Sequence, residues 1–170
     1  MFKTLRTPLI LFLLSSPLIF LDLYSKHLAH KHITSEDKEI VLTEDIALVV
    51  PMINKGWGAH LQTSDTITNW STITRNIALA FLCIFFLMGA LAGDNIYETV
   101  SSTVYRAGLL GNSIDAFFLD GVTDFIKIYT NAEGTMYVAN LADIFITVGM
   151  IAYFISFLSP IFYDYIRLKI

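Results

Sequence analysis

Acidic and amide side chains interrupt apolar sequence between Gly111 and Asp143, and that mixture most constrains what this chain can fold into. The stretch GNSIDAFFLDGVTDFIKIYTNAEGTMYVANLAD carries Asp115, Asp120, Asp124 and Asp143 together with Asn112 and Asn140. Its neighbouring runs are apolar enough for hydrocarbon, where an ionisable side chain is costly and normally faces a bundle interior or a wet cavity. The chain must therefore enclose a polar site. Asp124 and Asp143 are the first candidates for it.

The rest of the composition agrees with a membrane setting. Of 170 residues, 55% are hydrophobic and 15% charged, against about 25% charged in an ordinary soluble domain. The mean hydropathy is +0.61. This size suits one polytopic bundle. A net charge of −4 offers no basic stripe to neutralise phosphates, so no nucleic-acid partner is expected. The single Cys83, inside an apolar run, reads as a packing residue.

Lys3 and Arg6 precede an apolar run that Asp22 interrupts. A signal peptide begins in the same way, but no A-x-A-like cleavage site follows. Residues 7–26 are expected to form a first, uncleaved span, about 20 residues being enough to cross the hydrocarbon. Residues 27–71 are more polar and read as a platform on one membrane face, with a hairpin centred on Thr43–Asp45. Asn54-Lys55-Gly56-Trp57-Gly58 allows close backbone approach by a ligand, and Trp57 and Trp70 suit the headgroup level. Further spans are expected over 76–93, 97–119 and 140–163. The third is polar, and its Ala107, Gly108 and Gly111 would let neighbouring helices come close enough to cover it.

Four spans put both termini on one side, and Lys3, Arg6, Arg167 and Lys169 mark that side as cytoplasmic. Asp22/Lys26, Asp124, Asn140/Asp143 and the Asn54 loop then gather near the extracytoplasmic face, the third and fourth spans carrying one dyad acid each with a loop between them. Two carboxyl groups held close in a low dielectric share a proton. The charged member can activate water while the neutral one polarises a carbonyl or protonates a leaving amine. The plainer alternative is that each aspartate caps a helix or anchors at the interface.

Five motifs in order resemble those of the bacterial lipoprotein signal peptidases (signal peptidase II). They are Asp22-Leu-Tyr-Ser-Lys26, Asn54-Lys-Gly56, Gly108-Leu-Leu-Gly111-Asn112-Ser-Ile-Asp115, Gly121-Val-Thr-Asp124-Phe125 and Asn140-Leu-Ala142-Asp143. The resemblance implies an aspartic endopeptidase with Asp124 and Asp143 catalytic. It implies that Asn54, Gly56, Gly108, Asn112, Asp115 and Asn140 shape or support the site. The implied substrate is a diacylglyceryl-modified prolipoprotein, cut just before its lipidated cysteine, and globomycin-like inhibitors would occupy the same cleft.

Two departures stand out. The loop continues Trp57-Gly58-Ala59 where the family has small residues and then Phe. Ala116 follows Asp115 where the family has arginine, so another cation, Arg106 or Lys127, is the expected partner of Asp115.

Asp22 and Lys26, at i,i+4, share a helix face and are expected to pair, with substrate contact as the other reading. Asn112/Asp115 and Asn140/Asp143 repeat an i,i+3 spacing. Asn140 is expected to hold the catalytic carboxylate or the substrate backbone; without the resemblance, an amide bridging two helices would be the better reading. Asp120 stands four residues before Asp124, but the resemblance gives it no role. His27, His30 and His32 lack metal-ligand spacing, and no metal or cofactor is expected. The expected fold is an all-α membrane protein, a four-transmembrane-helix bundle with a small extracytoplasmic β platform, forming one peptidase domain over residues 1–170 in the bacterial cytoplasmic membrane among its lipids. A proton-coupling transport protein would need acids spread through the bilayer depth, whereas these gather at one level; an inactive relative is the remaining alternative.

Overall fold

A computed structural model describes residues 2–33, 39–55, 96–119, 121–129 and 136–167. The expected span 76–93, the Gly56–Gly58 loop with Trp57, and Trp70, Cys83 and Asp120 lie outside them. The described elements, in order, are α1 (Phe2–His32), β1 (Ile40–Val41), β2 (Ile46–Asn54), α2 (Ile96–Leu119), β3 (Val122–Tyr129), β4 (Met136–Ala139) and α3 (Leu141–Arg167).

Helix α1 does not stop at Lys26 to begin the platform. It continues to His32, because its last turns have apolar surface to bury: Ala29 and Ile33 pack with Phe125 of β3, against Leu48 and Ile126. One helix thus contributes the buried Asp22 and Lys26 and then supports the sheet beyond them.

The four strands form one antiparallel sheet in the order β1-β2-β3-β4. The hairpin expected around Thr43–Asp45 is present, closed by Leu42 and Thr43 N–H groups donating to the Ile46 carbonyl at 2.9 and 3.0 Å. Strands β3 and β4 replace the loop expected between Asp124 and Asp143. The β2–β3 register slips between Leu48 and Met52, where Pro51 has no N–H to give a ladder. Beyond that irregularity Met52 lies opposite Asp124 and Asn54 opposite Val122. On the other side Ala139 pairs with Ile126, which delivers Asn140 alongside the Asp124 end of β3.

Helix α2 covers the residues of the expected third span, and several of its polar side chains are satisfied within the helix. Ser101 and Thr103 donate to the carbonyls of Tyr97 and Thr99, both at 2.7 Å. Arg106 Nε donates to the Ser102 carbonyl at 2.9 Å, and its guanidinium reaches the Thr103 hydroxyl at 3.2 Å. Such back-bonding lets polar side chains lie buried in a helix interface without leaving donors unmet.

Helix α3 packs on α2 through two glycines. A Cβ on Gly108 would stand 2.4 Å from the Ala142 carbonyl oxygen, and one on Gly149 2.4 Å from the Tyr105 nitrogen. The opposite side of α3 exposes Val148, Ile151, Phe154 and Ile155. Among the described residues, Leu141–Ser159 is the one helical stretch long and apolar enough to cross a membrane. Its 19 residues rise about 28 Å, near the thickness of a hydrocarbon core.

Candidate active site

The site is assembled where α3 begins. Asn140 is the N-cap of α3, and with Asp143 it forms a capping box. The Asp143 N–H donates to Asn140 Oδ1 and the Asn140 N–H donates to Asp143 Oδ2, each at 3.0 Å. Between them, Ala142 N–H donates to Asp22 Oδ1 at 2.9 Å. The N–H groups of Asn140, Ala142 and Asp143 are thus taken by two carboxylates and the Asn140 amide oxygen, and the helix dipole also favours the carboxylates. The capping reading of Asp143 therefore holds, and it leaves Asp143 Oδ1 for a partner outside α3.

Asp124 approaches from β3, not from the end of a span as expected. The chain leaves α2 at Leu119 and enters the sheet at Val122, so the strand carries this acid. Only 3% of Asp124 is exposed. Asn140 Nδ2 donates to its Oδ1 at 2.8 Å, and Asn54 Nδ2, from the end of β2, donates to its Oδ2 at 2.9 Å. Burial pushes the Asp124 carboxyl up to about 6, aided by the nearby Asp143 charge and opposed by the Asn54 and Asn140 amides and by Lys26. One residue, Asn140, hydrogen-bonds both acids.

Behind Asp143 stands Asn112 of α2, whose Nδ2 donates to Asp143 Oδ1 at 2.8 Å. Its Oδ1 accepts from Lys26 Nζ at 3.0 Å. Lys26 also bonds Asp22 Oδ2 at 2.9 Å and lies 3.4 Å from Asp115 Oδ2. The expected Asp22–Lys26 pair is therefore present and buried. Asp115 accepts in addition from the Thr123 N–H at 2.8 Å.

Neither cation expected beside Asp115 is its partner in this network. Lys127 pairs with Glu39, which also accepts from the Tyr129 hydroxyl, and Arg106 is engaged two and a half turns away along α2. Lys26 from α1 fills the role because tertiary packing, rather than sequence separation, decides which cation reaches a buried acid. Gly111 makes the approach of α1 possible: a Cβ there would lie 2.4 Å from Asp22 Oδ2.

Asp22, Lys26, Asn54, Asn112, Asp115, Asp124, Asn140 and Asp143 are thus brought into one connected polar network. Gly108 sits behind it, setting the α2–α3 distance, and Gly56 lies outside the described residues. Three contributors are not singled out by the sequence reading. Thr123 and Ala142 contribute main-chain N–H groups, and Gly121 admits Ile53 and Asn54, whose side-chain and carbonyl atoms its Cβ would meet at 2.4 and 3.0 Å. Each lies inside a recognised motif, next to or near an acid, so position within the motif was the available signal. Two carboxyl groups, one buried and one half-buried, held by the side chain and the main chain of one asparagine can share a proton and act on a water between them.

Comparison with known proteins gives the family and the fold. A family model described as signal peptidase (SPase) II matches residues 14–159. A lipoprotein signal peptidase of Sulfurihydrogenibium sp. is 31% identical over 146 residues, covering 85% of this chain and 87% of that protein. Another, from Pelagibacter ubique, is 34% identical over 97 residues, 57% of this chain and 56% of its own length. A bacterial membrane enzyme structure solved by the in meso method at 2.3 Å resolution shares the fold, with a TM-score of 0.70 at 21% identity over 88% of each chain. A second such structure, at 1.9 Å, has a TM-score of 0.68 at 21% identity, covering 88% of this chain and 92% of its own.

Proposed function

Because this chain belongs to the signal peptidase II family and is therefore a peptidase, we propose that it is an intramembrane aspartic endopeptidase with Asp124 and Asp143 as its catalytic dyad. It removes the signal peptide from diacylglyceryl-modified prolipoproteins by cutting before the lipidated cysteine. The observation that carries the dyad is Asn140, whose side-chain and backbone N–H groups reach one carboxylate each.

In this mechanism one carboxylate takes a proton from water as the water oxygen attacks the scissile carbonyl. The other, protonated, carboxyl group donates to the carbonyl oxygen. Collapse of the resulting gem-diol breaks the C–N bond, and a carboxyl proton passes to the departing cysteine amine. Asn54 and Asn140 hold Asp124, Asn112 holds Asp143, and the Asp22–Lys26–Asp115 cluster braces α1 and α2 around them.

In this reading the chain is a four-span bundle with both termini cytoplasmic, and the sheet forms the extracytoplasmic platform of a single domain. A site at that level meets its substrate without drawing acyl chains into water, and globomycin-like inhibitors occupy the same cleft. The apolar outer face of α3 supports the membrane setting. Asp124→Asn and Asp143→Asn, each purified with membrane insertion intact and assayed on a lipidated prolipoprotein, are each expected to abolish cleavage. Retained cleavage in either would defeat the proposal.

A further inference from the structure

The register of the sheet sets one side chain of β2 directly across from Asp124. Met52 pairs with Asp124, and facing residues of an antiparallel pair point to the same side of the sheet with Cβ atoms about 4.5–5.5 Å apart. The hydrogen bonds agree on that side. Asn54, two residues beyond Met52 and so on the same face, reaches Asp124 Oδ2 at 2.9 Å. The opposite face is closed, with Ala47, Thr123 and Phe125 buried and Ala29 and Ile33 of α1 packed on Phe125. Asp124 already has an amide on each oxygen, from Asn140 and from Asn54. Met52 is the apolar neighbour, and it is only half-buried, so part of its surface stays open beside an acid that is almost closed off.

We propose that Met52 is a specificity-determining residue, forming the wall of the subsite for the residue that precedes the lipidated cysteine. This rests on the aspartic reading above and deepens it. The attacked carbonyl belongs to that preceding residue, whose Cβ is two bonds from the reacting carbon. The lipid carbons on the cysteine sulfur begin five bonds from it and lead away to hydrocarbon. With the carbonyl held at the dyad, the side chain brought against the Met52 thioether is therefore the one before the cysteine. An apolar wall favours an apolar side chain there, because a charged one would lose its water without gaining a partner. Methionine is unbranched and adapts its shape, so the limit it sets on size is graded.

The full chain, reconstituted in bilayers, tests this on lipidated prolipoproteins carrying alanine or leucine before the cysteine. The readout is the ratio of kcat/KM for the leucine substrate over the alanine one, which does not depend on how much of a variant is folded. Met52→Ala is expected to raise the ratio at least about tenfold, and Met52→Phe to lower it by about as much. Ile53→Ala changes the adjacent side chain, which points to the other face of β2, and is expected to leave the ratio within about twofold. A merely structural role for Met52 would slow both substrates alike. An unmoved ratio in Met52→Ala, or an equal shift in Ile53→Ala, overturns the proposal, and if Met52→Ala does not fold, Met52→Phe decides. A shift confined to substrates that differ in acyl-chain length also overturns it, since that would set the lipid against Met52. Asp124→Asn and Asp143→Asn run alongside. If they still cleave, the aspartic reading has failed, whereas if they are dead while the ratio does not move, only the role of Met52 has.

Discussion

At the residue scale the site depends on amides more than on its acids. Asn140 caps α3, holds Asp143 through its main chain and Asp124 through its side chain, so Asn140→Ala removes two side-chain contacts at once, the cap on the Asp143 N–H and the bond to Asp124, and keeps the main-chain one. The expected outcome is a stability loss of about 1–2 kcal/mol, the usual cost of a lost cap, with at least about a 100-fold fall in cleavage. Thermal unfolding and a cleavage assay on the same preparation check both. Asp124 carries the opposite trade. Its carboxyl is raised from 3.8 to about 6, so the folded protein binds a proton that the unfolded chain has released across that window. The contribution of Asp124 to stability is therefore fully present below about pH 4, is lost as pH rises through about 6, and is flat above it, a loss of about 3 kcal/mol from this group. Asp124→Asn is expected to lack this component, read as the difference between the two unfolding curves at pH 4 and pH 7. Equal pH dependence in both would show that Asp124 ionises freely. The acids and amides of this network were legible in the sequence because polar groups in apolar runs are conspicuous. The partner of Asp115 was not, because Lys26 is 89 residues away and only packing brings it within reach.

At the element scale the network needs α2 and α3 at a fixed separation, since Asn112 and Asp143 meet across that seam. Gly108 and Gly149 set it by letting the helices touch backbone to backbone. Gly149→Ala pushes a methyl group into the Tyr105 backbone, which has no rotamer to yield. A loss of about 1–3 kcal/mol is expected, with cleavage falling although residue 149 lies two turns from the chemistry. Retained activity and unchanged thermal stability would mean that the helices have slack. Gly108 was legible as a small residue in a polar span, whereas Gly149 lies in a uniformly apolar run that gives no hint of its facing side. The strands β3 and β4 were missed for a related reason. Val122-Thr-Asp-Phe-Ile-Lys-Ile-Tyr129 has β-branched residues in near alternation, but it lies between two stretches read as membrane spans and read as a helix end followed by a loop. The turn at Thr43–Asp45 was legible because nothing membrane-like surrounded it.

At the scale of the whole molecule, exposure has two meanings, depending on which solvent meets the surface. Ile151 of α3 is 52% exposed and Val41 of β1 68% exposed, so in water a lysine at either position would be nearly neutral. In the proposed arrangement Ile151 lies near the middle of the apolar stretch Leu141–Ser159 and faces lipid, while Val41 is on the platform. Ile151→Lys is then expected to cost about 2.5–3.5 kcal/mol of membrane insertion, seen as a loss of membrane-extracted protein. Val41→Lys is expected to leave yield, thermal stability and cleavage within experimental scatter, because a polar side chain on an edge strand in water displaces nothing. The contrast isolates the solvent, since both changes replace an exposed β-branched residue with the same cation. Equal tolerance at both positions would place the α3 face in water or against protein and remove the basis for putting the dyad at a membrane surface. Equal intolerance would place β1 within the hydrocarbon, where a short strand with open hydrogen-bonding groups could not remain.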